Sequence, residues 1–307
     1  MADKLKLKPG NQRNFGRNPY TWKVKYPSLK RSWLCFIDIL GFKEIITLND
    51  ESKLRKLHKT IINGNKILSG HDNKEEEDQK KYNIPSFHFI KSFTDNIVIG
   101  IPVEDDGELE FGVAVRRLAD FQLSLVLSGF FIRGGLAFGL AYVDDYAVYG
   151  EALVAAYKGE NELARDPRII VTGTGIDQIL SHLKYYGDSD YAPHNTVTKI
   201  DLDGQVFIDY LESTILDPSA KSTFDIASIK KHRKIVIKNL KSSKGNPKIW
   251  SKYEWVARYH NTFCQRYPAI NRSDFFINIE KLRGSITTLS EMVRENATKK
   301  PPKHRQR

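Results

Sequence analysis

The chain has 307 residues, 40% of them hydrophobic, and carries a formal net charge of +11. That is enough apolar material for one sizeable domain with an appendage. No apolar run approaches the length needed to cross a bilayer, and the start MADKLKLKPG lacks a signal-peptide core, so no membrane partner and a cytoplasmic location are expected. The two cysteines, Cys35 and Cys264, read as buried thiols rather than a disulfide. The positive excess gathers in Lys4–Arg31, Lys221–Lys252 and Lys299–Arg307 without zinc-finger spacing, a helix-turn-helix or an aromatic RNA-binding signature. No nucleic-acid partner is therefore expected, and the charge suits a small polyanionic substrate equally well.

Residues 1–30, basic and interrupted by Pro9, Pro19 and Pro27, read as a loosely ordered arm. Ser32–Phe42 then runs SWLCFIDILGF, an apolar strand ending at Asp38 and turning at Gly41 into a helix. Phe42–Leu48 and Glu51–Leu68 read as helices, with Leu54, Leu57, Ile61 and Ile62 facing a core. The charged segment His71–Lys81 reads as a loop. Two strand-like runs within Ser86–Ile101 meet at the polar turn Thr94-Asp95-Asn96. Glu108–Leu127 reads as a helix with Leu109, Phe111, Leu118, Phe121 and Leu125 inward, followed by a strand over Phe130–Phe138. Glu151–Ala164 reads as a helix and Arg168–Thr172 as a strand. Beyond these, Ile176–Leu183 is a short helix, Val197–Asp209 a hairpin turning at Asp201–Gly204, and Ser219–Ser243 and Pro247–Tyr267 are helices. Trp255, Tyr259 and Phe263 share one face of the last, while Lys230–Lys234 reads as a solvated basic face.

This order of strand, helix, hairpin, helix, strand, helix and strand fits an α+β fold, a ferredoxin-like split βαβ sheet with helices on one face. A mainly helical C-terminal extension follows it. The boundaries are an arm over 1–30, a catalytic domain over 31–184, a hairpin and helical extension over 185–290 and a basic tail over 291–307.

Asp38 ends one strand and Asp95 tips a hairpin. If the strand pairs beside the hairpin the two carboxylates approach, and a cation relieves the repulsion that would otherwise force a proton onto one of them. Alone, Asp38 reads equally as a cap for the helix that follows.

Four segments in order resemble class III nucleotidyl cyclases: FIDILGF (Phe36–Phe42), KSFTD (Lys91–Asp95), FIRGGLAFG (Phe131–Gly139) and YGEALVAAYKGE (Tyr149–Glu160). The resemblance covers Ser32 to Val171. It implies a palm-like catalytic domain, two Mg²⁺ or Mn²⁺ ions per active site and a homodimer whose sites draw on both subunits. By the same resemblance Asp38 and Asp95 are the metal carboxylates, the Ile39 carbonyl completes one metal site, and the N–H groups of Leu40, Gly41 and Phe42 hold phosphates. Lys158 takes the position of the transition-state arginine, keeping the charge without the bidentate fork.

Two departures bear on the base. Ala147 stands where purine cyclases place a base-reading polar residue, and Val154 where they place the ribose-orienting asparagine. Lys91 matches the lysine that adenylyl cyclases use on the base. The IRGGLAFG strand, the YGEALVAAY helix, the DLDGQVFIDYL hairpin and the KYEWVARYHN segment resemble the bacterial pyrimidine cyclases of antiphage signalling. That resemblance implies conversion of UTP to 3′,5′-cyclic UMP and pyrophosphate, the product acting on a separate effector protein. CTP, with cyclic CMP as product, or an inactive nucleotide-binding module are the alternatives. Phe36, Lys91 and Phe93 are candidates for the base pocket, Arg133 for supplementing the missing arginine charge, and Tyr149 and Tyr157 for lining the base site.

Overall fold

The structure, a computed structural model, describes residues 18–22, 28–70, 86–186, 189, 192–218 and 221–283. The charged segment over 71–81, most of the arm and the tail over 291–307 lie outside these residues. The strands are β1 (Lys30–Ile39), β2 (Phe89–Phe93), β3 (Asn96–Pro102), β4 (Ile132–Val143), β5 (Val148–Tyr149), β6 (Ile169–Val171), β7 (Thr198–Ile200) and β8 (Val206–Ile208). The helices are α1 (Phe42–Thr47), α2 (Glu51–Leu68), α3 (Glu108–Leu127), α4 (Glu151–Lys158), α5 (Gly173–Tyr186), α6 (Pro193–Thr196), α7 (Ile226–Ser242), α8 (Pro247–Arg266) and α9 (Ile279–Arg283). A π-helical turn, Gly159–Leu163, continues α4, and a 3-10 turn spans Tyr210–Thr214.

The architecture is α+β around a mixed sheet ordered β2-β3-β1-β4-β6-β8-β7, with β5 paired to β4. β1 lies antiparallel to both β3 and β4, while β4 and β6 are parallel. β1 is buried nearly throughout because both its faces are covered, which is why it reads as a continuous apolar run. Trp33, Cys35 and Ile37 enter the larger core, where Trp33 meets Phe111 of α3 at 4.9 Å and donates from Nε1 to the Gly107 carbonyl at 3.1 Å. Leu34 and Phe36 enter a second core with Val98, Ala137, Tyr142, Ala152 and Ala156, so α4 covers the opposite face. Helices on both faces replace the one-faced arrangement expected above, because alternate residues of β1 are apolar in both directions.

Local chemistry sets the helix starts. Asp50 accepts from the Lys53 N–H, Asp225 from Ser228 and Asn246 from Ile249, with Pro247 opening α8. Two inward assignments fail: Ile62 and Leu109 are exposed, each lying off the stripe its helix buries. Part of the arm belongs to the core as well. Tyr20 is fully buried and donates to the Ser32 hydroxyl at 2.9 Å, and Asn18 donates to the Val143 carbonyl at 3.0 Å. Both cysteines are free and buried, and burial pushes each thiol pKa up.

The C-terminal segment is continuous with this core. β8 pairs with β6 through Phe207 and Ile170, and the larger cluster extends to Ile277. Arg168, fully buried, forms ion pairs with Asp201 and Asp203, and the Trp255 indole donates to Asp201 at 2.7 Å, tying the hairpin turn to α8. His232, within the basic stretch expected to be solvated, is fully buried and stacks on His260. The polar chain assigns their tautomers: Tyr210 O–H donates to His232 Nε2, His232 Nδ1–H to His260 Nδ1, and His260 Nε2–H to the Phe275 carbonyl.

Burial holds both imidazoles neutral, pushing His232 well below the usual histidine range and His260 down to about 4. The unfolded chain thus binds protons that the fold refuses. The stability contributed is full above about pH 6.5 and is lost as pH falls toward the folded value. Denaturant midpoints at pH 7.5 and pH 5 are expected to show a loss of about 2 kcal/mol from His260 by pH 5. A His260→Gln variant whose pH dependence equals that of the wild type would refute the assignment.

Candidate functional site

The second face of β1 carries Leu34, Phe36 and then Asp38, since alternate residues share a face. The chain then leaves the sheet through Gly41, whose φ of 79° suits glycine, and enters α1. On one side Asp38 is opposite Asn96 of β3, and on the other it is opposite Arg133 of β4. Phe93 of β2 pairs with Asn96, so Phe93, Asn96, Asp38 and Arg133 form one row across the sheet.

Asp95 lies just beyond this row. The Ile39 N–H donates to the Asp95 carbonyl at 3.0 Å, which brings the two aspartate-bearing tips together. The hairpin turns through Thr94 and Asp95, and Thr94 adopts a φ of 54°. A β-branched residue there is strained, at a cost of about 1–2 kcal/mol. The Thr94 hydroxyl lies 2.9 Å from Asp95 Oδ1, and the Asn96 amide donates to the same oxygen at 3.2 Å, fixing the carboxylate. Thr94→Gly is expected to raise stability by about 1 kcal/mol in chemical denaturation while loosening Asp95. A fall in stability would show that the threonine is unstrained.

Arg133 joins Asp38 to a residue that spacing alone did not single out. Its Nε donates to Asp38 Oδ2 at 3.2 Å and stands 2.6 Å from Glu160 Oε1. The Glu160 contact lacks the alignment of a hydrogen bond, so Oε1 is a buried oxygen without a donor. Glu160 reaches this position from the π-helical turn, a feature often found at functional sites. Close approach makes this possible: a Cβ on Gly135 would come closer than 3.0 Å to the Ala156 carbonyl oxygen.

Burial weighs on both acids that meet Arg133. Burial raises the Asp38 pKa above the usual carboxylate range against the lowering effect of Arg133, and the charge of Asp95 adds to the rise. Burial likewise raises Glu160, again opposed by Arg133 and reinforced by Asp38 and Asp95. The charge of Lys252 on α8 has a smaller lowering effect on both carboxyls.

The other expected residues divide clearly. Lys91 lies in the row Lys91, Val98, Phe36, Gly135, on the Asp38 face, and Phe93 is 45% exposed. Phe36 is buried with Tyr157 edge-on at 5.5 Å, so it serves packing rather than offering a ring to a ligand. The Leu40 N–H is donated to the Phe131 carbonyl at 2.9 Å, which corrects its expected phosphate role. Gly41 and Phe42 begin α1, where N–H groups lack partners within the helix. Lys158 ends α4 with its side chain exposed, and among the described residues it makes no ion pair with the Asp38 cluster. Tyr149 and Tyr157 are exposed by 43% and 49% on this same face.

The Asp38 and Asp95 carboxylates are hard oxygen donors, the class that suits a divalent cation such as Mg²⁺ or Mn²⁺. Among the described residues no three histidine, cysteine or acidic side chains are already gathered around a metal position. The residues able to hold one are Asp38 and Asp95, with the Ile39 carbonyl beside them.

No protein-family model matches the chain, and comparison with the curated proteins gives no match.

Proposed function

We propose that the protein is a metal-dependent pyrimidine nucleotidyl cyclase, converting UTP to 3′,5′-cyclic UMP and pyrophosphate. The observation that carries this reading is the convergence of Asp38 and Glu160 on Arg133 at the end of a sheet, with the Asp95 tip held beside Asp38 through the Ile39 N–H. The strand order β2-β3-β1-β4, with β1 antiparallel to both its neighbours, supports the ferredoxin-like palm.

In the reaction the ribose 3′-hydroxyl loses its proton to water, its oxygen forms a bond to the α-phosphorus, the bond from the α-phosphorus to the bridging oxygen of the β-phosphate breaks, and pyrophosphate departs. Asp38 and Asp95 would hold a pair of Mg²⁺ or Mn²⁺ ions, which would supply Lewis-acid stabilisation of the phosphate charge. Arg133 restrains the acids through Nε, and the amides of Gly41 and Phe42 serve the phosphates. Lys91 and Phe93, beside the Asp38 row, serve the pyrimidine, and CTP remains the alternative substrate. Phe93, Tyr149, Val154 and Tyr157 expose apolar surface on the Asp38 face. That supports a homodimer in which Lys158 acts across the interface. The cyclic product, made in the cytoplasm, signals to a separate effector in antiphage defence.

A second reading, an inactive nucleotide-binding module, is favoured by Val154 and Lys158, both exposed on the outer side of α4. Incubation with each of ATP, GTP, CTP and UTP, with Mn²⁺ and separately with Mg²⁺, separates the readings by product mass and pyrophosphate release. A cyclic pyrimidine is the expected product. Nucleotide binding without turnover under either metal would establish the module.

A further inference from the structure

Helix α7 turns one side into the core and the other outward. Ile229, His232, Val236 and Leu240 are buried, and their spacing fixes which positions stay outside. Lys231, Lys234, Lys238 and Lys241 follow at i, i+3, i+7 and i+10 on the opposite side, and all four are exposed. The period that buries the core residues thus lines these lysines up, over about 15 Å at roughly 1.5 Å per residue. Lys244 and Lys248, also exposed, carry the same charge through the turn into α8.

Nothing acidic balances this row. Residues 226–253 contain no aspartate or glutamate, while lysine or arginine recurs throughout. The flanking acids are engaged elsewhere: Asp225 caps α7 through Ser228, Glu254 pairs with Arg258 and Arg283, and Asp274 pairs with Lys230 and Arg272. Among the described residues Lys231, Lys234, Lys238 and Lys241 make no ion pair and no hydrogen bond. Lysines three and four apart on one helix face repel, which costs the helix stability and is relieved by a polyanion laid along it.

The surroundings of the row select the partner. Ile226, in the first turn, is the only large apolar side chain of α7 that is exposed. The face therefore has nothing to insert into a bilayer and no apolar anchor for a protein interface. It also lacks an aromatic ring on which unpaired bases could stack. A straight row of point charges matches instead the regular phosphates of a duplex, which carries roughly one charge per 1.7 Å of its axis. The expectation of no nucleic-acid partner rested on the lack of recognition motifs. Backbone contacts need none, since they carry no sequence information.

We propose that the Lys231, Lys234, Lys238 and Lys241 face of α7 binds the phosphate backbone of double-stranded nucleic acid without regard to base sequence. It uses none of the residues of the Asp38 site, so it stands apart from the cyclase reading.

The test is fluorescence anisotropy of the full-length protein with labelled duplex DNA and duplex RNA of random sequence, between about 50 and 200 mM salt. Single strands of the same sequence and phosphatidylserine vesicles are the competing probes. One variant combines Lys231→Gln, Lys234→Gln, Lys238→Gln and Lys241→Gln. A second removes the same charge from exposed positions of α2, through Lys53→Gln, Lys56→Gln, Lys59→Gln and Lys66→Gln. Thermal melting checks that each variant is folded. The wild type is expected to bind duplex more tightly than single strands or vesicles. The α7 variant is expected to lose about tenfold or more in duplex affinity at the lowest salt, with a log–log salt slope shallower by about 3. The α2 variant is expected to lose distinctly less. No duplex binding by the wild type at the lowest salt overturns the proposal, as does an α7 variant that loses no more than the α2 variant. Tighter binding to single strands or to vesicles overturns it in favour of those partners. A preference between the DNA and RNA duplexes identifies the source and leaves the proposal standing.

Discussion

Asp38→Asn is expected to lower turnover of the preferred triphosphate by about three orders of magnitude, roughly 4 kcal/mol of lost transition-state stabilisation. The same substitution is expected to leave the melting temperature at pH 7 equal to or above that of the wild type. The two expectations share one cause. For a carboxyl whose folded pKa is raised, the fold binds protons more readily than the unfolded chain, so its ionisation at neutral pH works against stability. Arg133 retains Glu160 as a partner, so asparagine strands no buried cation. Asp95→Asn is expected to lose activity in parallel. Product formation and melting measured on the same preparations decide the matter: a large fall in melting temperature assigns Asp38 to the fold, and undiminished turnover in both variants removes it from the chemistry.

The second large effect is expected at Gly135. An added methyl meets the Ala156 carbonyl oxygen and stands 3.0 Å from the Glu160 nitrogen. Both are backbone atoms, so the contact is relieved only by lifting α4 and its π-helical continuation from the strand. Gly135→Ala is therefore expected to cost about 2–3 kcal/mol in chemical denaturation. It is also expected to depress activity beyond what the unfolded fraction explains, since Glu160 moves with the turn. Wild-type stability in this variant would mean that α4 packs less closely than the structure has it.

Both effects depend on short-range features that differ in how visible they were in the chain. Gly135 and the Ala-rich α4 were legible as a strand and a helix, but their contact was not. Ile62 and Leu109 show the limit of periodicity. Each belongs to an apolar set at helical spacing, yet neighbouring helices cover a narrower stripe than the pattern suggests. Tyr20 shows the opposite case: a polar, proline-rich surrounding hid a side chain that Ser32 and the second core enclose completely.

By itself the sequence determined β1 as a buried strand, the Thr94-Asp95 tip and the span of α3. Each follows from an apolar run, a turn signal or helical spacing, all of which are local. The meeting of Asp38 and Asp95 was conditional in the sequence on the pairing of their strands, and the sheet supplies that pairing. Glu160 entered the site only through tertiary structure. A π-helical turn brings it to Arg133. No local pattern marks a charged residue as inward-facing when the partner that compensates its burial is distant in the chain, and the folded sheet alone supplies that partner.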